Sequence, residues 1–548
     1  MASSSRRSAK QQSSGPVALE SESPSVPPPK SRKRGTSVKD RLDPTAASDG
    51  VSLESLLWKA ANMLHWRVSK AQFRDYLFPL LFMKRISDVY DEERAEALRA
   101  SNGDESYANL PENHRFVIPA GAHWNDIRSA RADVGAAIVH AMSEIERANP
   151  PRLAGIFGDA EWTNKEVLTD GHLSALVEHF SSINLSNAST PGDVLGRAYE
   201  FLLKQFADLS KRKKAGEFYT PRAVIRLMVN ILDPSPGETV YDPACGTGGM
   251  LLEALNHIRD DRGGKGGALA GVLFGQEKEL ATSAIARMNL FLHGVEDFSI
   301  VRGDTLNHPG HQVANALRQF DCVLANPPFS LQDWGAPAFA ADPWGRNKFG
   351  TPPVKNGDYA WIQHMIASMR PETGRVAVVL SESISFRGDT EEVIRNALID
   401  ADLIEAVIKF GPGLFYGTGL DPIVMVLRAK KAPQHAGKML FIDASEIFTS
   451  QRANNFLADD QADAIFGIYR AFEDRPHLSR VATLEEVRAE GGILTVRRYI
   501  ERSAKGEQLT YDAARAQLMT ALDEHEAAAS ALESLLRDRG LIGAGGTR

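Results

Sequence analysis

Residues 239–259, TVYDPACGTGGMLLEALNHIR, contain the transition that decides the fold. A short apolar strand leads into a glycine-rich turn, and an apolar helical pattern begins near residue 249. Strand-like runs and helical segments then alternate, which predicts an α/β fold with a doubly wound, mostly parallel sheet. The predicted strands are TVYDP (239–243), GVLFGQE (271–277), FSIVRGD (298–304), DCVLAN (321–326), RVAVVL (375–380), LIEAVIKF (403–410) and PIVMVLRA (422–429), and the helices between them cover 249–259, 279–293, 358–370 and 389–400.

Composition and periodicity divide the chain into four parts. Residues 1–50 are rich in Ser, Pro and basic residues, cannot bury a core, and are predicted to form a disordered basic tail. Residues 51–185 are predicted to be a helical N-terminal domain, and residues 186–430 the α/β domain. Residues 431–548 form a C-terminal region that ends in a helix over 507–538. That helix has a heptad-like apolar seam, which either packs on its own domain or docks against partner helices.

Bulk composition excludes several classes of protein. The chain has no apolar run of about 18 residues, so no membrane-spanning helix is predicted, and no secretory signal is expected at the N-terminus. Two cysteines in 548 residues argue against a disulfide scaffold or a Cys-rich zinc site. A reducing cytoplasm is therefore expected. The net charge is −7, so a DNA substrate would need local basic surface or a partner for its phosphates.

The glycine turn DPACGTGGM (242–250) predicts a ligand site at the end of the first strand. Gly246, Gly248 and Gly249 permit a sharp turn and a close approach of ligand to main chain. The turn lacks the Lys-Ser/Thr of a P-loop and the G-x-G-x-x-G spacing of a dinucleotide site. Asp242 at its entrance would repel phosphate and suits a cationic ligand.

Three further strand ends carry polar residues. Glu277 ends the second strand, where a carboxylate in a nucleotide-binding fold accepts ribose hydroxyls. Asp304 ends the third strand and would reach an adenine amino group. The fourth strand is followed by NPPF (326–329), whose two prolines forbid helix and ladder pairing and make a rigid, extended loop. Such a loop is a candidate clamp for a flat polar ring.

These motifs together resemble class I S-adenosylmethionine-dependent methyltransferases, and NPPF resembles their amino-methylating branch. GEFYTPRAV (216–224) upstream of the glycine turn is similar to N6-adenine DNA methyltransferases. LGRAYEFLLKQFA (195–207), GDYAWIQHM (357–365), GPGLFYGTG (411–419) and the helical N-terminus resemble the modification subunit of type I restriction–modification systems. Ser381, Glu382 and Ser383 depart from the Pro and Gly expected after the fifth strand.

The resemblance implies an enzyme that methylates the N6 amino group of adenine in double-stranded DNA. It implies S-adenosyl-L-methionine as cofactor, a separate specificity subunit, a restriction subunit in the full complex, and two modification subunits per specificity subunit. The implied catalytic residues are Asn326, Pro327, Pro328 and Phe329. The implied cofactor-binding residues are Glu217, Phe218, Tyr219, Thr220, Asp242, Gly246, Thr247, Gly248, Gly249, Glu277 and Asp304.

Other functions are compatible with parts of this pattern. Related motifs serve protein glutamine and RNA guanine, but the helical N-terminus and Phe329 argue against glutamine. A non-catalytic scaffold conflicts with the intact set Asp242, Glu277 and Asn326. Residues with chemistry outside this set have structural interpretations. Cys245, Cys322, Tyr359, Trp361 and His364 are expected to pack in the core, and no metal site is indicated.

Overall fold

The computed structural model describes residues 52–65, 67–69, 72–209, 220–261, 273–295, 297–415, 421–450, 455–501 and 511–539. The expected tail and the loop residues 210–219 lie outside these ranges. Within them, the helices before the first strand are α1 (Leu53–Met63), α2 (Phe73–Ala100), α3 (Glu105–Ala108), α4 (Trp124–Ser129), α5 (Val134–Ala148), α6 (Asp170–Ser181), α7 (Gly192–Leu209) and α8 (Arg222–Leu232), with a 3₁₀ turn at Pro111–Asn113.

Strands and helices then alternate as the sequence predicts. In chain order they are β1 (Val240–Asp242), α9 (Gly249–Asp261), β2 (Leu273–Glu277), α10 (Leu280–Leu292), β3 (Phe298–Arg302), β4 (Gln312–Val313), β5 (Ala316–Leu317), β6 (Cys322–Ala325), α11 (Ala336–Ala340), α12 (Asp358–Ser368), β7 (Arg375–Ser381), α13 (Asp389–Asp400), β8 (Ile404–Phe410), β9 (Pro422–Arg428), β10 (Lys438–Ala444), β11 (Thr449–Ser450), β12 (Asn455–Phe456), α14 (Asp459–Ala471), β13 (Ser479–Thr483), α15 (Leu484–Ala489) and α16 (Tyr511–Asp538), with 3₁₀ turns at Glu382–Ser385 and Val496–Arg498.

The central sheet has the strand order β13-β10-β8-β9-β7-β6-β1-β2-β3. The run β7-β6-β1-β2-β3 is parallel throughout. Strand β9 lies antiparallel between β7 and β8, so the sheet is mixed rather than wholly parallel. Strand β1 starts the chain's path through this sheet and lies in its interior, with neighbours on both sides. Strands β2 and β3 lie on one side of β1, and the chain then crosses to the other side for β6 and β7. Ligand crevices form where the strand order reverses in this way, outside the carboxyl ends of the strands.

Both faces of the sheet are covered by helices, which confirms the doubly wound arrangement. Side chains alternate between the faces along each strand. Val240 packs under α8, α9 and α14, whereas its neighbour Tyr241 packs under α12 and α13. Because both faces are buried, the strands read as near-continuous apolar runs.

The N-terminal helices share a core with the α/β region. Phe78 of α2 meets Tyr199 of α7 with ring centroids 4.3 Å apart. Phe82 of α2 stacks on Phe291 of α10, with centroids 5.9 Å apart. Helix α7 lies in this shared core, which also contains residues of α10.

The expected end of the α/β domain at residue 430 falls inside the sheet. Strand β10 pairs parallel with β8, and β13 pairs antiparallel with β10. Helix α14 covers the same face as α8. The sheet therefore continues to Thr483, and Val487, Leu494, Val496 and Ile500 beyond it are still buried in the core of the sheet.

Helix α16 confirms the predicted C-terminal helix and presents its apolar seam to solvent. Leu518, Leu522 and Leu532 are 60%, 51% and 57% exposed. The seam does not pack on the chain's own described residues, which leaves a partner as the remaining expectation. No helix in the described ranges is long and apolar enough to cross a bilayer.

Candidate active site

The four polar strand ends lie side by side. Strands β6, β1, β2 and β3 are parallel neighbours, so their carboxyl ends open at one edge of the sheet. Asn326 follows β6, Asp242 ends β1, Glu277 ends β2, and Asp304 follows β3 by two residues. The structure thus brings together the acidic and amide residues that the sequence selected.

The glycine turn is built by backbone conformations that favour glycine. Gly246 and Gly248 have φ values of +52° and +81°, where a Cβ is strained. The amide of Gly246 donates to Glu277 Oε2 at 3.1 Å, which joins the first two strand ends. Apart from the adjacent residues and the backbone of α9 itself, no atom of the described residues lies within 4 Å of the position that a Cβ would take at Gly249, where α9 begins. The helix N-terminus beside Thr247 is therefore open to an anionic group.

Asp242 is a buried carboxyl group that has no cationic partner within the described part of the chain. Its side chain is 2% exposed, and Oδ1 accepts a hydrogen bond from the Ala244 amide at 3.0 Å. Burial, with a contribution from nearby Glu277, raises the pKa of Asp242 to about 8. Among the residues the structure describes, no Lys, Arg or His pairs with it. A buried acid of this kind is costly alone and fits a ligand that brings positive charge.

Glu277 and Asp304 differ from Asp242 because both oxygens of each carboxylate have partners among the described residues. Glu277 Oε1 accepts from the Glu279 amide at 2.9 Å, and burial raises the pKa of Glu277. Asp304 Oδ1 accepts from the amide of Leu306 at 3.1 Å. Its Oδ2 lies 3.1 Å from Lys278 Nζ. Burial alone would raise the pKa of Asp304, but Lys278 and its hydrogen bonds lower it.

The NPPF loop contains one polar atom that forms no hydrogen bond with the described residues. Asn326 Nδ2 donates to Thr220 Oγ1 at 2.8 Å, so the upstream FYT motif reaches the loop through its last residue. Asn326 Oδ1 is buried and has no hydrogen-bond partner among the described residues. Buried acceptors are nearly always satisfied, so an unpartnered one points to a missing ligand group. Pro327 is buried, and Pro328 and Phe329 are partly buried, with Phe329 packed against the sheet core.

Three expected cofactor residues, Glu217, Phe218 and Tyr219, lie outside the described residues. Packing interpretations of the other reactive side chains are confirmed. Cys245 and Cys322 are free and buried, and burial raises the pKa of both thiols. The α12 residues expected to pack, Tyr359, Trp361 and His364, are also buried.

Sequence reasoning missed a buried ion pair beside the cofactor strand ends. Arg346 bonds Asp342 at 2.6 Å and donates to the carbonyls of Thr305 and Leu306 at 3.1 and 2.8 Å. Thr305 Oγ1 in turn donates to the Pro243 carbonyl at 2.6 Å. Arg346 therefore ties the turn after β3 to the glycine turn. The only sequence signal was an Asp and an Arg four residues apart, a spacing typical of any solvated helix or turn.

Comparison with known protein families identifies the family of the chain that carries this strand-edge site. The profile of the N-6 DNA Methylase family matches residues 190–508. The chain belongs to this family. The HsdM N-terminal domain profile matches residues 53–180, which are the helices that precede α7.

Named relatives agree with the family assignment. The type I restriction enzyme MjaVII methylase subunit of Methanocaldococcus jannaschii is 31% identical over 77% of this chain and 74% of its own length. The HindI methylase subunit of Haemophilus influenzae is 29% identical over 76% of this chain and 96% of its own length. A type I restriction–modification methyltransferase subunit from Streptococcus thermophilus has a similar structure, with a TM-score of 0.71 and 27% identity over 82% of this chain and 99% of that one.

These findings confirm the class I methyltransferase fold and the resemblance to type I modification subunits. They also favour DNA adenine N6 methylation over the glutamine and RNA alternatives. The chain is a DNA methyltransferase of the type I restriction–modification class.

Proposed function

We propose that this chain transfers a methyl group from S-adenosylmethionine to the N6 amino group of adenine in double-stranded DNA, with Asn326 and Phe329 as the residues that hold the base. The observation that supports this most directly is the buried Oδ1 of Asn326, which has no hydrogen-bond partner among the described residues and lies on a proline-stiffened loop. This oxygen lies at the strand edge that also carries Asp242, so an acceptor for an amine and a carboxylate for a cation come from neighbouring strands.

The chemistry of adenine explains why an acceptor is needed. The N6 lone pair is delocalised into the ring, so the amine is a weak nucleophile. Asn326 Oδ1 and the Pro327 carbonyl would accept the two N6 hydrogens and favour a more tetrahedral nitrogen. Its lone pair would then point at the methyl donor. Fixed acceptors in a rigid loop need no reorganisation during the reaction, which is the main source of rate in such sites.

The cofactor strand ends fit S-adenosylmethionine. Asp242 would pair with the positive charge of its methionine portion, Glu277 would accept from the ribose hydroxyls, and Asp304 would lie near its adenine. Gly246, Thr247, Gly248 and Gly249, with Glu217, Phe218, Tyr219 and Thr220, would surround the methionine end. When bound, the cofactor supplies an electrophilic methyl group on a sulfonium sulfur.

Phe329 would receive the target base. The N6 atom lies inside the duplex, so the base must leave the stack and enter the site. Base–aromatic stacking is worth about 1–3 kcal/mol, and Phe329 is held beside the two acceptors by Pro327 and Pro328. This neutral, flat surface suits an uncharged ring.

We infer that the chain acts as one subunit of a cytoplasmic assembly. Its net charge is −7, and its relatives are named as subunits. A specificity subunit would read the DNA sequence and bind two copies of this chain, and a restriction subunit would join the full complex. The solvent-facing seam of α16 is the candidate contact, because apolar residues at heptad spacing pack against partner helices.

The test is single-turnover methylation by the complex reconstituted with its specificity subunit, scored for N6-methyladenine. Asn326→Ala should lower the rate by about 100- to 1000-fold, the effect of removing one preorganised hydrogen-bonding group. Cofactor affinity, measured by calorimetry, should be unchanged. Asn164→Ala serves as a control, because Asn164 lies in the loop between α5 and α6, and its Nδ2 donates to Glu161 Oε2 at 3.0 Å within that loop. A parental rate for Asn326→Ala would mean that NPPF is only a turn.

A further inference from the structure

The residue after the NPPF loop is fixed in an unusual conformation. Ser330 has a φ of +50°, in the left-handed region that non-glycine residues rarely adopt. Its amide donates to Asp358 Oδ1 at 2.7 Å. Residues keep such backbone conformations where their surroundings hold them, and these places cluster at functional sites. Asp358 is therefore the group that holds the end of the loop.

Asp358 is the first residue of α12 and is 1% exposed. Its second oxygen, Oδ2, accepts from Arg387 Nη1 at 2.8 Å. Burial raises the pKa of Asp358, while the Ser330 amide and Arg387 act in the opposite direction. Both oxygens of the Asp358 carboxylate thus accept hydrogen bonds, one from the NPPF loop and one from an arginine.

Arg387 binds both Asp358 and Ser330 and so completes a hydrogen-bond network among the three residues. It lies between β7 and α13, and its Nη2 donates to Ser330 Oγ at 3.1 Å and to Ser383 Oγ at 2.6 Å. Its Nη1 also bonds Glu391 Oε1 at 3.1 Å. Ser383 is one of the residues that replaced the expected Pro and Gly after the fifth strand. The departure from the family pattern supplies an acceptor for this arginine.

We propose that Asp358 and Arg387 are positioning residues for the target base, which fix Phe329 and the Pro327 carbonyl by holding Ser330. This inference rests on the proposed function and names two further residues for it. The loop is then held at both ends, at Asn326 by Thr220 and at Ser330 by the Asp358–Arg387 pair. Two prolines between these points transmit the restraint, since a proline backbone has little freedom of its own.

The Asp342–Arg346 pair provides a matched comparison. It too is a buried Asp–Arg pair, but it binds the carbonyls of Thr305 and Leu306, next to Asp304 on the cofactor side. Lysine at either arginine keeps the charge and loses the planar fork of donors. Arg387→Lys should weaken handling of the base, whereas Arg346→Lys should weaken binding of the cofactor.

The experiment uses the reconstituted complex and measures three quantities for each variant. They are the affinity for S-adenosylmethionine, the single-turnover methylation rate, and the fluorescence of 2-aminopurine placed at the target adenine, which rises when the base leaves the stack. The recognised sequence is first mapped by locating N6-methyladenine in DNA that the parental complex has methylated.

Asp358→Ala should lower the methylation rate by about 100-fold, the scale of a 1 Å misplacement of reacting groups, and should reduce the 2-aminopurine signal. Its cofactor affinity should stay within about twofold of the parent. Asp358→Asn keeps an acceptor for the Ser330 amide and should recover part of the loss. Ser330→Ala removes only the hydroxyl, is the variant to use if Asp358→Ala does not fold, and should lower the rate by about tenfold.

Two results would overturn the assignment. One is parental methylation and fluorescence in folded Asp358→Ala and Ser330→Ala. The other is a loss of cofactor affinity equal to the loss of rate, which would make the pair a general support of the fold. Failure of the parental complex to form N6-methyladenine would instead overturn the proposed function itself, so the two failures are distinguishable.

Discussion

The two sides of the strand-edge site differ in how they select what they bind. The cofactor side contains two carboxyl groups, Asp242 and Glu277, of which Asp242 is the more deeply buried, and neither has a cationic partner among the described residues. The target-base side contains a neutral amide oxygen at Asn326 and the ring of Phe329. One side therefore selects by charge and the other by position and shape. Variants that alter charge should act on cofactor affinity, and variants that alter geometry should act on the rate.

The largest expected effect tests the charge of the cofactor side. Asp242→Asn should reduce affinity for S-adenosylmethionine by at least about 30-fold, because removing one partner of a buried charge pair costs about 2–5 kcal/mol. The same change should raise the melting temperature of the cofactor-free protein, since it removes an uncompensated buried acid. Calorimetric titration and thermal unfolding measure the two effects. Undiminished affinity would contradict the role of Asp242.

The next effect tests the shape of the target-base side. Phe329→Ala should weaken capture of the flipped base by about 1–3 kcal/mol, without changing cofactor affinity. Tyr or Trp at this position should recover much of the loss, whereas Leu should not, because only an aromatic face stacks on the base. Single-turnover methylation at varied DNA concentration measures the change. Full activity of the Leu variant would show that the ring only fills space.

A smaller expected effect concerns the release of a proton from Asp242 when the cofactor binds. The pKa of Asp242 is about 8 without a cation beside it, so at pH 7 most of these side chains are protonated and must ionise to bind a cation. Cofactor uptake at pH 7 should release about one proton, and affinity should fall by up to about tenfold for each pH unit below 8. Calorimetry in two buffers of different ionisation enthalpy measures this release. Equal heats in both buffers would contradict it.

The raised pKa of Asp242 makes the stability of the folded protein fall as the pH rises, whereas a salt-bridged acid makes it rise. Protonated Asp242 favours the folded state at low pH, and this contribution is lost as the pH rises through about 8. The stabilisation by Asp242→Asn should therefore be larger at pH 9 than at pH 6. Thermal unfolding of the parent and the variant at both pH values gives the comparison.

The smallest expected effect belongs to an exposed charge. Lys278 is 66% exposed and pairs with Asp304 at 3.1 Å. Exposed ion pairs contribute about 0–1 kcal/mol, so Lys278→Ala should change cofactor affinity by less than about fivefold, and less still at high salt. A loss as large as that of Asp242→Asn would mean that charge at the cofactor side is not concentrated at Asp242.

Much of the fold could be predicted because the strands of the central sheet are buried on both faces. Strand β7, for example, appears in the sequence as the continuous apolar run RVAVVL. Strand β13, SRVAT, has no such run, and its place in the sheet depends on pairing with β10 from a distant part of the chain. A short edge strand of this kind leaves little pattern in its own residues.

The residues of the candidate site also fall into those that could be predicted from the sequence and those that could not. Asp242, Glu277 and Asn326 could be selected because a parallel sheet collects its strand ends at one edge. The contacts that hold the loop could not, because they join Ser330 to Asp358 and Arg387 from separate segments. Such contacts depend on how loops fold back over the sheet, which local patterns do not record.

The burial of both thiols also makes the chain a convenient host for spectroscopic labels. Cys245 and Cys322 are the only cysteines in the sequence, and their raised pKa values keep them as unreactive thiols at neutral pH. A cysteine introduced at Ala527, on the exposed surface of α16 and opposite its apolar seam, would therefore take a maleimide dye selectively. Energy transfer from that dye to one on the specificity subunit would then follow docking of the helix in real time.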